Sequence, residues 1–200
     1  MYVERYIENA RHVEVQLLGD RYGGIVHLGD RDCSTQRRFQ KLVEEAPATA
    51  IPADLRQRIA DAAVTLGRRL DYRGAGTVEF LVDLDRGDFS FLEINTRVQV
   101  EHPVTEMVTG VDIVREQLRV AAGDPLSFRQ DDVVIDGHAR EWRLLPQRQH
   151  QRRYPQRRAP HPRRACRGAL TISRRATRAR STCLSKRNDA GGDVSASHRQ

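Results

Sequence analysis

The sequence predicts an α+β fold, an antiparallel sheet with flanking helices, followed by a basic tail with no core of its own. Three observations predict it. Residues 77–82 and 89–95 alternate polar and apolar side chains around a glycine-bearing turn, the period of half-buried strands. Residues 52–70 and 110–123 carry apolar residues at helical spacing instead. From Trp142 onward apolar periodicity stops and arginine accumulates.

Taken along the chain, the first helix opens at Pro52 and Asp54, presents Leu55, Ile59, Ala62, Leu66 and Leu70 on one side, and ends with Arg68 and Arg69, whose charges suit a helix C-terminus. Thr77 to Val82 and Phe89 to Asn95 then read as paired strands joined by Asp85, Arg86 and Gly87, a three-residue loop with glycine where the left-handed conformation is needed. Pairing Leu84 with Asp88 sets a register in which Glu79 faces Glu93, with Cβ atoms about 5 Å apart.

The next run, Glu93 to Pro103, places two acids, two amides and an arginine within nine residues of extended, β-branched sequence. If it is extended to its end, as Pro103 favours for His102, Glu93, Asn95, Arg97, Gln99 and Glu101 share one face, while Ile94, Val98 and Val100 take the other. Two bare carboxylates at the Glu79–Glu93 distance repel, so the pair calls for a cation or a proton. With the Asn95 oxygen the set is all hard donors and suits Mg²⁺ or Mn²⁺. The plain alternative is a solvent-facing strand whose acids pair with nearby arginines. A second helix follows Gly110, capped by Asp112, with Ile113, Val114, Leu118 and Ala121 on its buried side and Gly123 at its end.

From about Val3 to Phe128 the chain resembles the biotin carboxylase family of ATP-grasp enzymes, the ATP-using component of acetyl-CoA, propionyl-CoA and pyruvate carboxylases. Four segments in the family's order carry the resemblance: Arg11 to Gln16; Arg31 to Arg38, leading through Gln40 and Lys41 to Pro47; Tyr72 to Phe80; and Glu93 to Glu106. It implies a fragment of the large C-terminal ATP-grasp subdomain, with Glu79, Glu93 and Asn95 as ligands of the Mg²⁺ or Mn²⁺ ions on ATP. Glu4 and Ile7 would line the adenine pocket, and His12, Gln36 and Lys41 would surround the nucleotide and its transferred phosphate. Arg97, Gln99 and Val100 match the bicarbonate site, and Glu101 matches the base. By spacing, Arg143 matches an arginine that steadies the biotin ureido oxygen. Phe39 stands where some members have histidine.

The parent reaction so implied joins bicarbonate and ATP into carboxyphosphate, then carboxylates biotin on a carrier protein. Implied partners are ATP, bicarbonate, the biotinylated carrier domain and a carboxyltransferase, with a homodimer allowed. Tyr2 to Glu8 aligns with the end of the family's small lid domain, so the family's lid and its glycine-rich loop are expected to lie outside this sequence, and the chain by itself is expected to be inactive. Two other readings remain: a non-enzymatic, basic-tailed binding protein on an ATP-grasp remnant, or a different ATP-grasp carboxylate ligase. The motifs Gln36 to Pro47 and Glu101 to Pro103 speak against the latter.

Residues 142–200 hold fifteen Arg and one Lys against two Asp, a formal +14; the whole chain is +7, leaving −7 for the first 141 residues. The division expected is a partial biotin carboxylase domain over 1–146 and an Arg-rich tail of low order over 147–200. Such a tail could bind nucleic acid. The reading favoured instead is a shifted reading frame, because the chain has only Lys41 and Lys186 among its many arginines, as GC-rich coding predicts. Cys33, Cys166 and Cys183 are odd in number and lack metal-ligand spacing, which fits a reducing, cytoplasmic setting. Cys33 reads as a small packed residue. No apolar run is long enough to span a membrane, and Glu4, Arg5 and Glu8 interrupt any signal-like N-terminus.

Overall fold

The computed structural model describes residues 3, 6–143, 170–175 and 181–186, the last two ranges as backbone only. Six strands form the antiparallel sheet predicted: β1 (Ala10–Gly19), β2 (Ile25–Arg37), β3 (Gln40–Ala46), β4 (Gly74–Asp83), β5 (Asp88–Asn95) and β6 (His138–Arg143). Their order is β5-β4-β1-β2-β3-β6. Helix α1 (Ala53–Arg69) carries the chain from β3 back across the sheet, so that β4 pairs with β1 over its whole length, from Ala10 opposite Asp83 to Gly19 opposite Gly74. Among the described residues no helix is long and apolar enough to cross a membrane.

Alternation along β1 divides the two faces. Val13, Val15 and Leu17 lie beneath α1, packed with Leu55, Ile59, Ala63, Val78, Phe80 and Val82. Burying a side chain the size of Leu55 or Ile59 contributes about 1.5–3 kcal/mol. The helix carries Asp54 in its first turn and Arg68 and Arg69 in its last, as expected, but Leu70 is its C-cap and half exposed. His12, Glu14 and Gln16 point to the opposite face, where Glu14 and Gln16 are fully buried despite their polarity.

That second face is covered by helices α2 (His102–Thr109) and α3 (Ile113–Ala122). The sequence reading misses α2, because it continues the strand to Glu101. In fact β5 ends at Asn95, residues 96–101 are irregular, and Pro103 stands in the first turn of α2, where its missing N–H costs nothing. Helix α3 has the predicted ends: the Asp112 side chain accepts from the Arg115 backbone N–H, and Gly123 closes it with φ of 100°. Its buried side is corrected to Ile113, Glu116 and Val120, with Val114, Leu118 and Ala121 exposed. Glu116 goes inside because its carboxylate accepts from the backbone N–H and hydroxyl of Ser127.

The β4–β5 hairpin reaches the predicted pairing by another route. Asp83, not Leu84, pairs with Asp88, so the loop has four residues, Leu84 to Gly87, with Gly87 at φ of 60°. A bulge between the Phe80–Phe91 and Glu79–Glu93 pairs then absorbs Leu92 and restores Glu79 opposite Glu93.

At the other edge the sheet continues beyond β6 into β7 (Leu170–Arg175) and β8 (Ser181–Lys186). The alternation of Leu170 and Ile172 with Thr171 and Ser173 suits pairing on an open edge such as that of β6. The remainder of 147–200, for which low order is expected, lies outside the described residues.

Candidate active site

One row of charge crosses the helix-covered face of the sheet. Arg31 on β2, Glu14 on β1, Glu79 on β4 and Glu93 on β5 are successive cross-strand partners. Arg31 is fully buried and donates to Glu14 (2.5 Å), Gln16 (3.0 Å), Thr77 (3.3 Å) and, on α2, Thr105 (2.8 Å). A guanidinium can be buried only when its donors are satisfied in this way. It thereby fastens the head of α2 to the strands.

Above the row opens a cavity of about 820 Å³. Lys41 stands at its floor, its ammonium 2.5 Å from Glu14, 2.6 Å from Glu101 and 3.3 Å from Glu79. Burial works against this charge, but Glu14 and Glu101 together hold the lysine's pKa well above its usual value. Burial likewise raises Glu101, and Lys41 more than offsets it, so the Glu101 carboxyl lies below its ordinary range. Glu101 is the N-cap residue of α2 yet spends no side-chain bond on capping, which leaves its carboxylate for the cavity.

Glu79 is almost fully buried and accepts four bonds: from His12 Nε2 (2.5 Å), Asn95 Nδ2 (2.9 Å), Gln99 Nε2 (2.9 Å) and Lys41 (3.3 Å). Burial raises its pKa, but the bonds from His12 and Gln99 and the Lys41 charge outweigh it and bring the value to about 2. The Gln36 amide donates to the Cys33 carbonyl (2.8 Å), which orients its NH₂ group toward His12 Nδ1 at 2.7 Å. Nδ1 is therefore an acceptor, and the His12 proton sits on Nε2, facing Glu79. Cys33 is buried, and burial holds its thiol well above the usual pKa, in keeping with a packing role.

The Asn95 amide lies between the two opposed carboxylates, 2.9 Å from Glu79 and 3.0 Å from Glu93. An N–H donor thus stands where the sequence reading puts a cation. Turning the amide would offer its oxygen instead, so Glu79, Glu93 and Asn95 fit a hard divalent ion. His12, Glu14 and Glu79 also bring one ligand atom each within 4.8 Å of one another.

Arg97 is exposed and among the described residues makes only long contacts, to the Asn95 side chain (3.4 Å) and the Val98 carbonyl (3.5 Å). It and the half-exposed Val100 line the cavity beside buried Gln99. Arg143 closes the far wall, donating to Glu44 (2.9 Å) and reaching Glu101 (3.5 Å). Phe39 sits at the rim in a two-residue turn with Arg38; both have left-handed φ, 63° and 52°, and the phenyl ring is 98% exposed. Ile7 is half-buried and stands outside the lining, and Glu4 lies outside the described residues.

The sequence reading misses Glu14 and Arg31 as site residues, although both stand inside motifs it singles out. Their pairing depends on β1 lying between β2 and β4, which local periodicity does not reveal. It also misses Glu44 and Glu141, fully buried cross-strand partners on β3 and β6.

Residues 1–129 match the family described as carbamoyl-phosphate synthase L chain, ATP binding domain. The biotin carboxylases of Nostoc sp. and Pseudomonas aeruginosa are 56% and 58% identical over 144 residues, covering 72% of this chain and 32% of each relative. A solved biotin carboxylase domain dimer of Hydrogenobacter thermophilus 2-oxoglutarate carboxylase, in complex with MgADP, ADP and bicarbonate, is 51% identical with a TM-score of 0.67 over 70% of this chain and 31% of that one. A complete multifunctional pyruvate carboxylase from Rhizobium etli gives 46% and 0.68, over 72% of this chain and 15% of that one. The chain spans about a third of the length of the curated relatives it matches. With the antiparallel sheet, its flanking helices and the four motifs in order, these matches show that the chain belongs to the ATP-grasp biotin carboxylase family and represents part of it.

Proposed function

We propose that this chain supplies the phosphate and bicarbonate centre of an ATP-dependent biotin carboxylase. The observation that carries the reading is convergence: eleven of the thirteen residues singled out from sequence line one cavity, although they come from β1, β2, β3, β4, β5, β6 and the irregular stretch leading into α2.

In this reading Arg97, exposed and weakly engaged, holds bicarbonate by charge-assisted hydrogen bonds, with Gln99 and Val100 beside it. A bicarbonate oxygen attacks the γ-phosphorus of ATP, the bond to the ADP oxygen breaks, and the bicarbonate proton passes to Glu101. Carboxyphosphate results; its C–O bond to phosphate breaks to give CO₂ and phosphate, the phosphate takes the biotin N–H proton, and the freed nitrogen bonds the CO₂ beside Arg143. Lys41 holds Glu101 as a weak base while the two are paired. Movement of the Lys41 ammonium onto the transferred phosphate would raise the basicity of Glu101 when the proton must be taken. Mg²⁺ or Mn²⁺, when bound by Glu79, Glu93 and Asn95, would neutralise phosphate charge.

We place the domain at residues 1–146, with 147–200 as an Arg-rich tail. The cytoplasmic setting, the biotinylated carrier, the carboxyltransferase partner and a homodimer belong to the same proposal. Calorimetry of the full chain with MgATP is its first test: heat of binding lost in Glu93→Gln supports it, and identical heats in both proteins count against it.

A further inference from the structure

Glu44 and Glu141 are direct partners across β3 and β6, and both are fully buried. Two carboxylates are rarely placed so without compensation. Glu44 has it on one oxygen, through Arg143 at 2.9 Å. Its other oxygen and both oxygens of Glu141 have no hydrogen-bond partner among the described residues, and neither has Arg143 Nε. The charged groups around the pair are Arg143 on β6, Glu101 at the head of α2, Arg31 on β2, Glu14 on β1 and Lys41 on β3. One guanidinium therefore adjoins two buried acids and is already engaged by the first.

From this geometry we infer that Glu141 is a neutral acid in the folded protein at neutral pH, so that what charge the pair carries lies on Glu44, which anchors Arg143 at the cavity wall. Were both ionised, Arg143 would be drawn toward two charges below the wall and away from Glu101. A proton on Glu141 removes that competition. The assignment to Glu141 follows from the contacts: Glu44 has the arginine, and Glu141 has none. The direction of the pKa values agrees. Burial pushes Glu141 up to about 8, helped by Glu44 and Glu101, and burial brings Glu44 to about 7 against the opposing pull of Arg143. Glu44 and Glu141 are thus positioning residues acting through Arg143. Only the consequence for biotin rests on the function proposed above, because the protonation is a property of the folded chain without substrate.

The test is a ¹³C-carboxyl NMR titration of the full chain labelled at glutamate, with Glu141→Gln identifying the signal. One glutamate is expected to titrate near 8 and to vanish in that variant. In Glu44→Gln the same signal should move to lower pH, since a neighbouring charge is gone and Arg143 is released; a purely space-filling Glu44 would not move it. If no glutamate titrating above about 6 disappears in Glu141→Gln, the inference is overturned. Should Glu44→Gln fail to fold, the wild-type midpoint and its disappearance in Glu141→Gln decide. Nucleotide binding is read separately by calorimetry, so failure of the ATP reading leaves the titration interpretable.

Discussion

Glu79 and Glu93 stand directly opposite each other across a hairpin whose loop is one residue longer than its sequence suggests, and the bulge at Leu92 takes up the difference. The bulge therefore decides which face of the sheet receives Glu93 and Asn95, since a strand shifted by one residue presents the other set of side chains.

Deleting Leu92 should remove the bulge yet leave Glu93 opposite Glu79, because Glu93 then follows the Phe80–Phe91 pair by simple alternation. The expected outcome is a folded protein by circular dichroism whose affinity for MgATP stays within about threefold, or ~0.7 kcal/mol. A loss of about tenfold or more would mean that the bulge itself, and not the register it restores, places the ligands.

The buried acid pair gives stability a pH dependence whose sign is fixed. Glu141 titrates near its ordinary 4.5 when unfolded and at about 8 when folded, so between those values the native state holds the extra proton. Stability should decline as pH rises through that window, by up to about 1.4 kcal/mol per pH unit for one proton, and level off above it. In Glu141→Gln that part of the slope should disappear, making the variant the more stable protein at pH 8. Urea midpoints from pH 5 to 9 measure this, and parallel curves for the two proteins would contradict it.

Arg31 ties Glu14, Gln16, Thr77 and Thr105 together beneath the site. Arg31→Met keeps much of the volume but leaves several buried polar groups without their donor, so a loss of about 3–5 kcal/mol is expected in urea unfolding. The same change should loosen the head of α2, seen as faster amide exchange at Val104 and Thr105. Exchange as slow there as in the parent protein would show that α2 is held by its apolar contacts alone.

Strand alternation, the α1 stripe and the turn glycine are local signals, and the sequence carries them plainly. Helix α2 is not legible in the same way, because Gln99 to Pro103 follows a strand without interruption and Pro103 serves an extended segment or a first helical turn equally well. On α3 the error at Val114 and Leu118 arises from treating Glu116 as solvent-facing, when Ser127 supplies the bonds that allow it inside. The motifs name residues that the fold gathers at one cavity; the contacts among them are not legible in sequence. Glu14, Arg31, Glu44 and Glu141 acquire their meaning only from the strand order, which brings distant segments side by side.

The most direct measurement replaces the matching segment of Pseudomonas aeruginosa biotin carboxylase with residues 1–143 of this chain and follows biotin-dependent ADP release. The account predicts turnover in the folded chimera and its loss in Glu101→Gln, which removes the proton acceptor while keeping the Lys41 contact. A folded chimera that binds MgATP without turnover, or one that works as well with glutamine at position 101, would contradict the role assigned to this cavity.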